Sequence, residues 1–153
     1  MGRSYVGNIP NPTLRDFQRK RLYEAEGSCS FWNELQVLPL YEVKHLIKEI
    51  VCWAHIDIPK IISTTQKNAK YFAYATASEV SLPFPLSKSV PFICHEMAHV
   101  INYQRGPADH HGPHFATAYL EVVRNFIGHK EYDELKQSFR KHNVKCFKEV
   151  IHI

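Results

Sequence analysis

The chain has only four cysteines in 153 residues, and Cys29, Cys52, Cys94 and Cys146 stand far apart with no CxxC pair. A zinc ribbon needs paired cysteines, and a small secreted scaffold needs a dense disulfide framework, so the spacing argues against both. No stretch approaches the roughly 20 consecutive apolar residues of a membrane-spanning helix. The opening Met1-Gly2-Arg3-Ser4-Tyr5-Val6 lacks an apolar signal core, and Val6 stands where a myristoylation signal carries Ser or Thr. Low-complexity runs and internal repeats are missing too. These absences lead to the expectation of a cytoplasmic, intracellular protein with no membrane attachment. The length suits a single domain able to bury a real core.

Charge excludes little. Nineteen basic and fifteen acidic residues leave a net charge of +4, compatible with an acidic partner such as nucleic acid but far from requiring one. Lys136, Arg140, Lys141, Lys145 and Lys148 gather near one end and Arg15, Arg19, Lys20 and Arg21 near the other. Acidic residues are interspersed in both groups, so each reads as a solvated helix face.

What the chain does have is histidine. Residues 95–99 read His-Glu-Met-Ala-His, and twelve positions after His99 comes His111-Gly112-Pro113-His114-Phe115. Two imidazoles four residues apart on a helix lie on one face and can grip one Zn²⁺. Glu96 is not needed as a ligand and is free to act on a bound water as general base. An accidental HExxH arises in about one chain in twenty of this composition, so context matters. Here the context is helical: Ser87 or Ser89 can cap a helix, Pro91 suits its first turn, and Gly106-Pro107 ends it. Cys94 should leave that helix about 100° away from the ligand face and reads as a small buried apolar residue.

A catalytic zinc needs a third protein ligand and an open fourth position. His111, just before a helix that Pro113 would open, is the first choice. His110 and His114 compete for the role, and Glu121 would make a His₂Glu site instead. A group that steadies a developing oxyanion is also needed. His114, Tyr74, Tyr103 and Tyr119 are candidates, although each tyrosine reads more readily as a packed aromatic whose hydroxyl has a partner. Imidazole ligands make zinc the default metal.

Along the chain, residues 1–12 read as an extended arm and residues 13–153 as one domain. Thr13-Leu14-Arg15-Asp16 resembles a capping box that starts a helix to about Glu26. A second amphipathic helix spans about Leu40–His55, with Val43, Leu46, Ile47, Ile50 and Val51 facing the core. Strands are expected over Ile61–Thr64, Tyr71–Thr76 and Glu79–Pro83. The motif helix, a helix over Pro113–Ile127 and a last one near Glu131–His142 complete an α+β layout.

HEMAH followed by HGPHF resembles the SprT-like zincins, including the Spartan-type DNA-repair proteases, which carry HExxH and then HGxxF. The resemblance covers about residues 88–127. It implies a compact, minimal zincin-like metalloprotease domain with HExxH on the central helix and a small, mostly antiparallel sheet packed on helices. It also implies His95, His99 and His111 as zinc ligands and Glu96 as general base. His114 stands where these proteins often have glutamate. A looser likeness, spanning most of the chain, is to small actinobacterial and phage-borne HExxH metallohydrolases. There the helix Arg15–Glu26 and the segment Ser138–Val144 resemble the ends of the domain. In proteases of the zincin plan the strand before the zinc helix borders the cleft, which would make Val80, Ser81 and Leu82 the strand that pairs with a peptide by edge addition.

The expected function is therefore a zinc-dependent peptidase acting on protein or peptide substrates, DNA-associated or regulatory proteins among them. A metallohydrolase of another amide, or a zincin that cleaves a single repressor, is its rival among enzymes. A non-catalytic zinc domain that binds nucleic acid or a protein is the alternative in another class, and the presence of Glu96 argues against it. A chain this small leaves little room for a deep specificity pocket.

Overall fold

The structure is a computed structural model that describes residues 16–63 and 73–147. The arm expected over residues 1–12 and the capping box at Thr13 lie outside the described residues. The described residues form an α+β fold of five helices and a three-stranded sheet: α1 (Arg19–Gly27), α2 (Leu40–Ala54), β1 (Lys60–Ile62), β2 (Tyr74–Ala75), β3 (Glu79–Ser81), α3 (Val90–Arg105), α4 (Pro113–Phe126) and α5 (His129–Lys141). No helix is long and apolar enough to cross a membrane.

Helix α3 lies at the centre. Pro91 and every residue from Ile93 to Asn102 are buried, because α3 packs against α2, α4 and the sheet. A helix enclosed in this way cannot show a clean polar face, and its His, Glu and Asn residues must find partners inside. Neither Ser87 nor Ser89 caps it with its side chain. The Ser89 hydroxyl donates instead to the Leu86 carbonyl (2.7 Å), and that of Ser87 to the Phe84 carbonyl, in a 3-10 turn that feeds the helix. Pro91 sits in the first turn, where a missing N–H costs nothing.

Helix α2 buries Val43, Ile47, Ile50, Val51 and Ala54 in one core shared with α1, α3, α4 and α5, with Leu46 partly buried against it. Helix α5 buries Leu135, Ser138 and Phe139 against α1 and α4, while Arg140 and Lys141 remain exposed.

The sheet departs from expectation. Its order is β1-β3-β2, with β1 parallel and β2 antiparallel to β3, so it is mixed rather than mostly antiparallel. The tight turn at residues 76–78, held by the Thr76 hydroxyl accepting the Ser78 and Glu79 N–H groups (3.2 and 3.0 Å), forces β2 and β3 into a hairpin. β1 arrives from α2 on the other side and runs parallel. β3 is therefore central, with backbone partners on both sides. That overturns the reading of Val80, Ser81 and Leu82 as an edge that pairs with substrate: Val80 faces Ile61 and Ala75, Ser81 faces Ile62 and Tyr74, and Leu82 donates its N–H to the Ile62 carbonyl (2.7 Å).

Between α3 and α4 the chain is shaped by Asp109. Its carboxylate accepts the Asn102 side-chain amide (2.8 Å) and the backbone N–H groups of His114 (2.7 Å) and Phe115 (3.2 Å). It thus caps the free N–H groups that open α4, where the helix dipole favours a negative charge. Gly112 makes the approach possible. A Cβ there would lie 2.6 Å from the Asp109 carboxylate oxygen, although the backbone (φ −75°) would suit any residue. Gly112→Ala is expected to cost about 1–3 kcal/mol by collision alone, and Asp109→Ala about 1–2 kcal/mol through the lost cap. Urea unfolding of each variant checks both.

Candidate metal centre

His95 and His99 stand one turn apart on α3, and the Asp109-shaped loop returns His111 to the same face. Ligand atoms of the three lie within 4.8 Å of one another, and all three residues are buried. Nε2 of His99 and Nε2 of His111 are 3.2 Å apart. Two imidazoles on a tetrahedral ion with Zn–N bonds of about 2.0–2.1 Å stand about 3.3 Å apart, so this spacing already fits a shared metal. Among the described residues no further His, Cys, Asp or Glu joins the cluster.

The outward nitrogens show why the rings point as they do. Nδ1 of His95 donates to Oε2 of Glu26 (2.9 Å), and Nδ1 of His111 donates to Oδ2 of Asp16 (2.8 Å). A carboxylate can only accept, so each Nδ1 carries the proton and each Nε2 keeps a lone pair for a cation. His99 is held differently: Phe115 stacks on its ring at 4.0 Å and 22°. Both carboxylates are themselves supported. Oε2 of Glu26 also accepts the Tyr119 hydroxyl (2.7 Å), which in turn accepts the Trp32 indole N–H (2.9 Å). Oδ1 of Asp16 accepts the His111 backbone N–H (3.1 Å). Gln18, fully buried, donates its amide to the carbonyls of His111 (2.9 Å) and Lys145 (3.0 Å) and accepts the Lys145 N–H (2.8 Å). One side chain thus ties the His111 loop to the start of α1 and to the segment at Lys145.

The electrostatics suit ligation. Burial, helped by the neighbouring His111 and His95, holds His99 well below the usual histidine range. Burial also lowers His111, outweighing its hydrogen bond to Asp16, so both rings are neutral near pH 7, the form that binds metal. At His95 burial works downward, but the charge and hydrogen bond of Glu26 prevail and raise it. Glu96 is buried, and that burial raises its carboxyl against the opposing pull of His95.

The cluster opens into a cleft of about 180 Å³. Glu96, Tyr74, Tyr103 and His110 are on its walls, together with Ala73 and Ala75 of the β2 region. Tyr103 is near His99, with ring centroids 6.3 Å apart, and the Tyr74 hydroxyl donates to Glu79 at 3.5 Å.

Other expected residues lie elsewhere. On α4, His114, Thr117, Ala118 and Glu121 share one face by helical spacing and line a separate cavity with Trp53 and Phe147. The opposite face presents Phe115 and Tyr119 to the histidines. His114 therefore lies outside the cleft: its Nδ1 is taken by Asp109 (3.0 Å), and its ring packs on Phe147 at 4.6 Å. Glu121 cannot replace His111 for the same geometric reason. Tyr119 is behind the site as support for Glu26 rather than in the cleft. Cys94 is fully buried in the core.

Four residues here escaped the sequence reading: Asp16, Gln18, Tyr23 and Glu26. Glu26 left one trace, an acid on the apolar stripe of Leu22, Ala25 and Cys29, where a carboxylate needs a buried partner. Tyr23 has its hydroxyl 3.1 Å from Nε2 of His111, and since Nδ1 of that ring holds the proton, the hydroxyl donates. Burial, with Glu26 and Glu96 adding, pushes Tyr23 up to about 12, so it stays a donor throughout the neutral range.

Glu26→Gln and Asp16→Asn are each expected to weaken metal affinity about 10–100-fold, because the ring loses its orienting acceptor. Competition with a chromophoric chelator measures this, and unfolding curves separate it from loss of fold. No protein-family model, no curated protein and no solved structure matches this chain.

Proposed function

We propose that the chain is a zinc-dependent metallopeptidase with a zincin-like centre. The observation that carries this reading is the convergence of His95, His99 and His111 with Glu96 in one cleft, with no fourth ligand among the described residues. A purely structural zinc is usually closed by four protein ligands and has no use for a buried carboxylate beside an open position.

Bound zinc supplies Lewis acidity, polarising a carbonyl and lowering the pKa of a water toward 7. The residues of this chain do the rest. Glu96 accepts a proton as the water oxygen adds to the carbonyl carbon, then hands it to the nitrogen as the C–N bond breaks. Its raised carboxyl sits closer to the range in which a base can both take and return a proton. Tyr23, rather than Tyr74 or Tyr103, is the hydroxyl best placed to steady the oxyanion. It points at the ligating nitrogen of His111, and once that lone pair is taken its proton is free for the substrate oxygen. The strand that borders the cleft is β2, through Tyr74 and Ala75, and an extended peptide would lie along it.

Glu96→Gln should keep one zinc per chain by elemental analysis and lose about 10²–10⁴-fold in turnover of a fluorescence-quenched peptide library. Comparable turnover by the variant and the parent would sink the mechanism. Tyr23→Phe should lower kcat by about 10²-fold with little change in KM. Anomalous scattering at the zinc edge should find the three histidines near 2.0–2.1 Å and a solvent oxygen as the fourth ligand. A protein group such as His110 in that place would turn the reading toward a non-catalytic zinc domain.

A further inference from the structure

A second, larger pocket adjoins the metal cleft. It measures about 590 Å³ and shares Tyr23, Ala73, His95 and Glu96 with that cleft, so the two adjoin at the proposed general base. Its walls are chemically distinct. Three half-buried aromatic rings form it: Phe92 sits between Trp32 (centroids 4.8 Å, 65°) and Phe84 (5.5 Å, 88°), both in edge-to-face contact. Phe92 is three residues before His95 on α3, so the helix that carries two of the proposed ligands also carries the middle of the wall. Glu26, the one acid at the inner end besides Glu96, is already engaged by His95 and Tyr119. The exposed Arg19 brings a positive charge to the pocket.

We infer that this pocket receives a large apolar side chain, aromatic or long aliphatic, from the residue directly beside the scissile bond. The inference rests on the peptidase reading above. The volume is ample for one large side chain. An aromatic occupant buries about 150–250 Å² and would complete the edge-to-face cluster that Trp32, Phe92 and Phe84 leave open. Arg19 repels lysine and arginine side chains, so the pocket selects against basic residues as well as for apolar ones. Since Glu96 lines both spaces, the reacting bond lies at their junction. One neighbouring side chain drops among the rings, and the peptide continues past Tyr74 and Tyr103 on the polar side. A small chain therefore does have a specificity pocket, built where Trp32 of the 3-10 turn Ser30–Trp32 and Phe84, just before the turn Pro85–Lys88, pack on Phe92 of α3.

The test needs a binding readout that does not depend on turnover. The indole N–H resonance of Trp32 in the zinc-loaded full chain, distinguished from that of Trp53 by a Trp53→Phe variant, reports the pocket wall directly. N-acetyl-L-phenylalaninamide should shift the Trp32 signal and leave that of Trp53 in place, while the alanine and lysine analogues should shift neither. Phe84→Ala and Phe92→Ala should each weaken that binding at least tenfold, with zinc content and the Trp53 signal unchanged as controls of fold. Cleavage sites sequenced from an unfolded protein substrate should carry Phe, Tyr, Leu or Met at one fixed position beside the broken bond. No Trp32 shift with the phenylalanine probe, or an equal shift with alanine, overturns the pocket. Cleavage with no apolar preference overturns it as well. Saturable probe binding in a protein that cleaves nothing keeps the pocket as an apolar side-chain site and overturns the peptidase reading alone.

Discussion

Three imidazoles can share a cation only if three lone pairs point at one spot, and an imidazole left to itself has two nitrogens to choose between. In this protein that choice is made from behind, by Glu26 and Asp16 accepting the Nδ1 protons of His95 and His111. The rest of the architecture follows from what it takes to keep those two carboxylates in place. A carboxylate with most of its surface removed from water is costly unless hydrogen bonds replace the lost solvent. Glu26 is 8 % exposed and draws on both His95 and Tyr119, with Trp32 behind them. Such a network is worth having only when fully satisfied, which accounts for a Trp–Tyr–Glu–His chain running from a 3-10 turn through α4 and α1 to α3.

The helices divide the work accordingly. Helix α3 carries His95 and His99 at a separation that any helix would supply, but it has to be buried nearly all round for the His99 ring to be desolvated and neutral. Helix α4 turns Phe115 and Tyr119 toward the rings and keeps its other face for a separate cavity. The loop between them is held by Asp109 over the first N–H groups of α4, with Gly112 leaving the necessary space. Gln18 then fastens the His111 carbonyl to the segment at Lys145, so residues far apart in the chain converge on one ligand.

What borders the cleft depends on the sheet. With β3 in the middle, its hydrogen bonds are spent on β1 and β2, and the strand next to the cleft is the two-residue β2. The cleft has a polar arm along Tyr74 and Tyr103 and an aromatic arm along Trp32, Phe84 and Phe92, meeting at Glu96. On the peptidase reading proposed above, the meeting of two chemically unlike spaces at Glu96 would give a bound peptide a direction.

Much of the local structure was legible from the chain alone, because it is set by short-range physics. Helical spacing of apolar residues located α2 to within one residue at its C-terminal end, and the prolines at 91 and 113 marked where α3 and α4 begin. HExxH put two imidazoles on one face whatever the surroundings, and the turn chemistry around Gly112 brought His111 within reach. The strands were recognisable as strands, but pairing is a long-range choice: strand order turned on where α2 delivers β1, and no residue of β3 announces a central position. The division between His111 and its neighbours His110 and His114 was likewise open in the sequence. It was decided by the acceptor each ring meets: Asp16, 95 positions away, takes Nδ1 of His111, whereas Asp109, five residues away, takes Nδ1 of His114. The sequence by itself determined the residue types, the four-residue spacing of His95 and His99 and the helix that carries both. The tertiary structure alone decided which nitrogens face the centre and what lines the cleft, because hydrogen-bond partners and pocket walls come from segments that meet only once the core has closed.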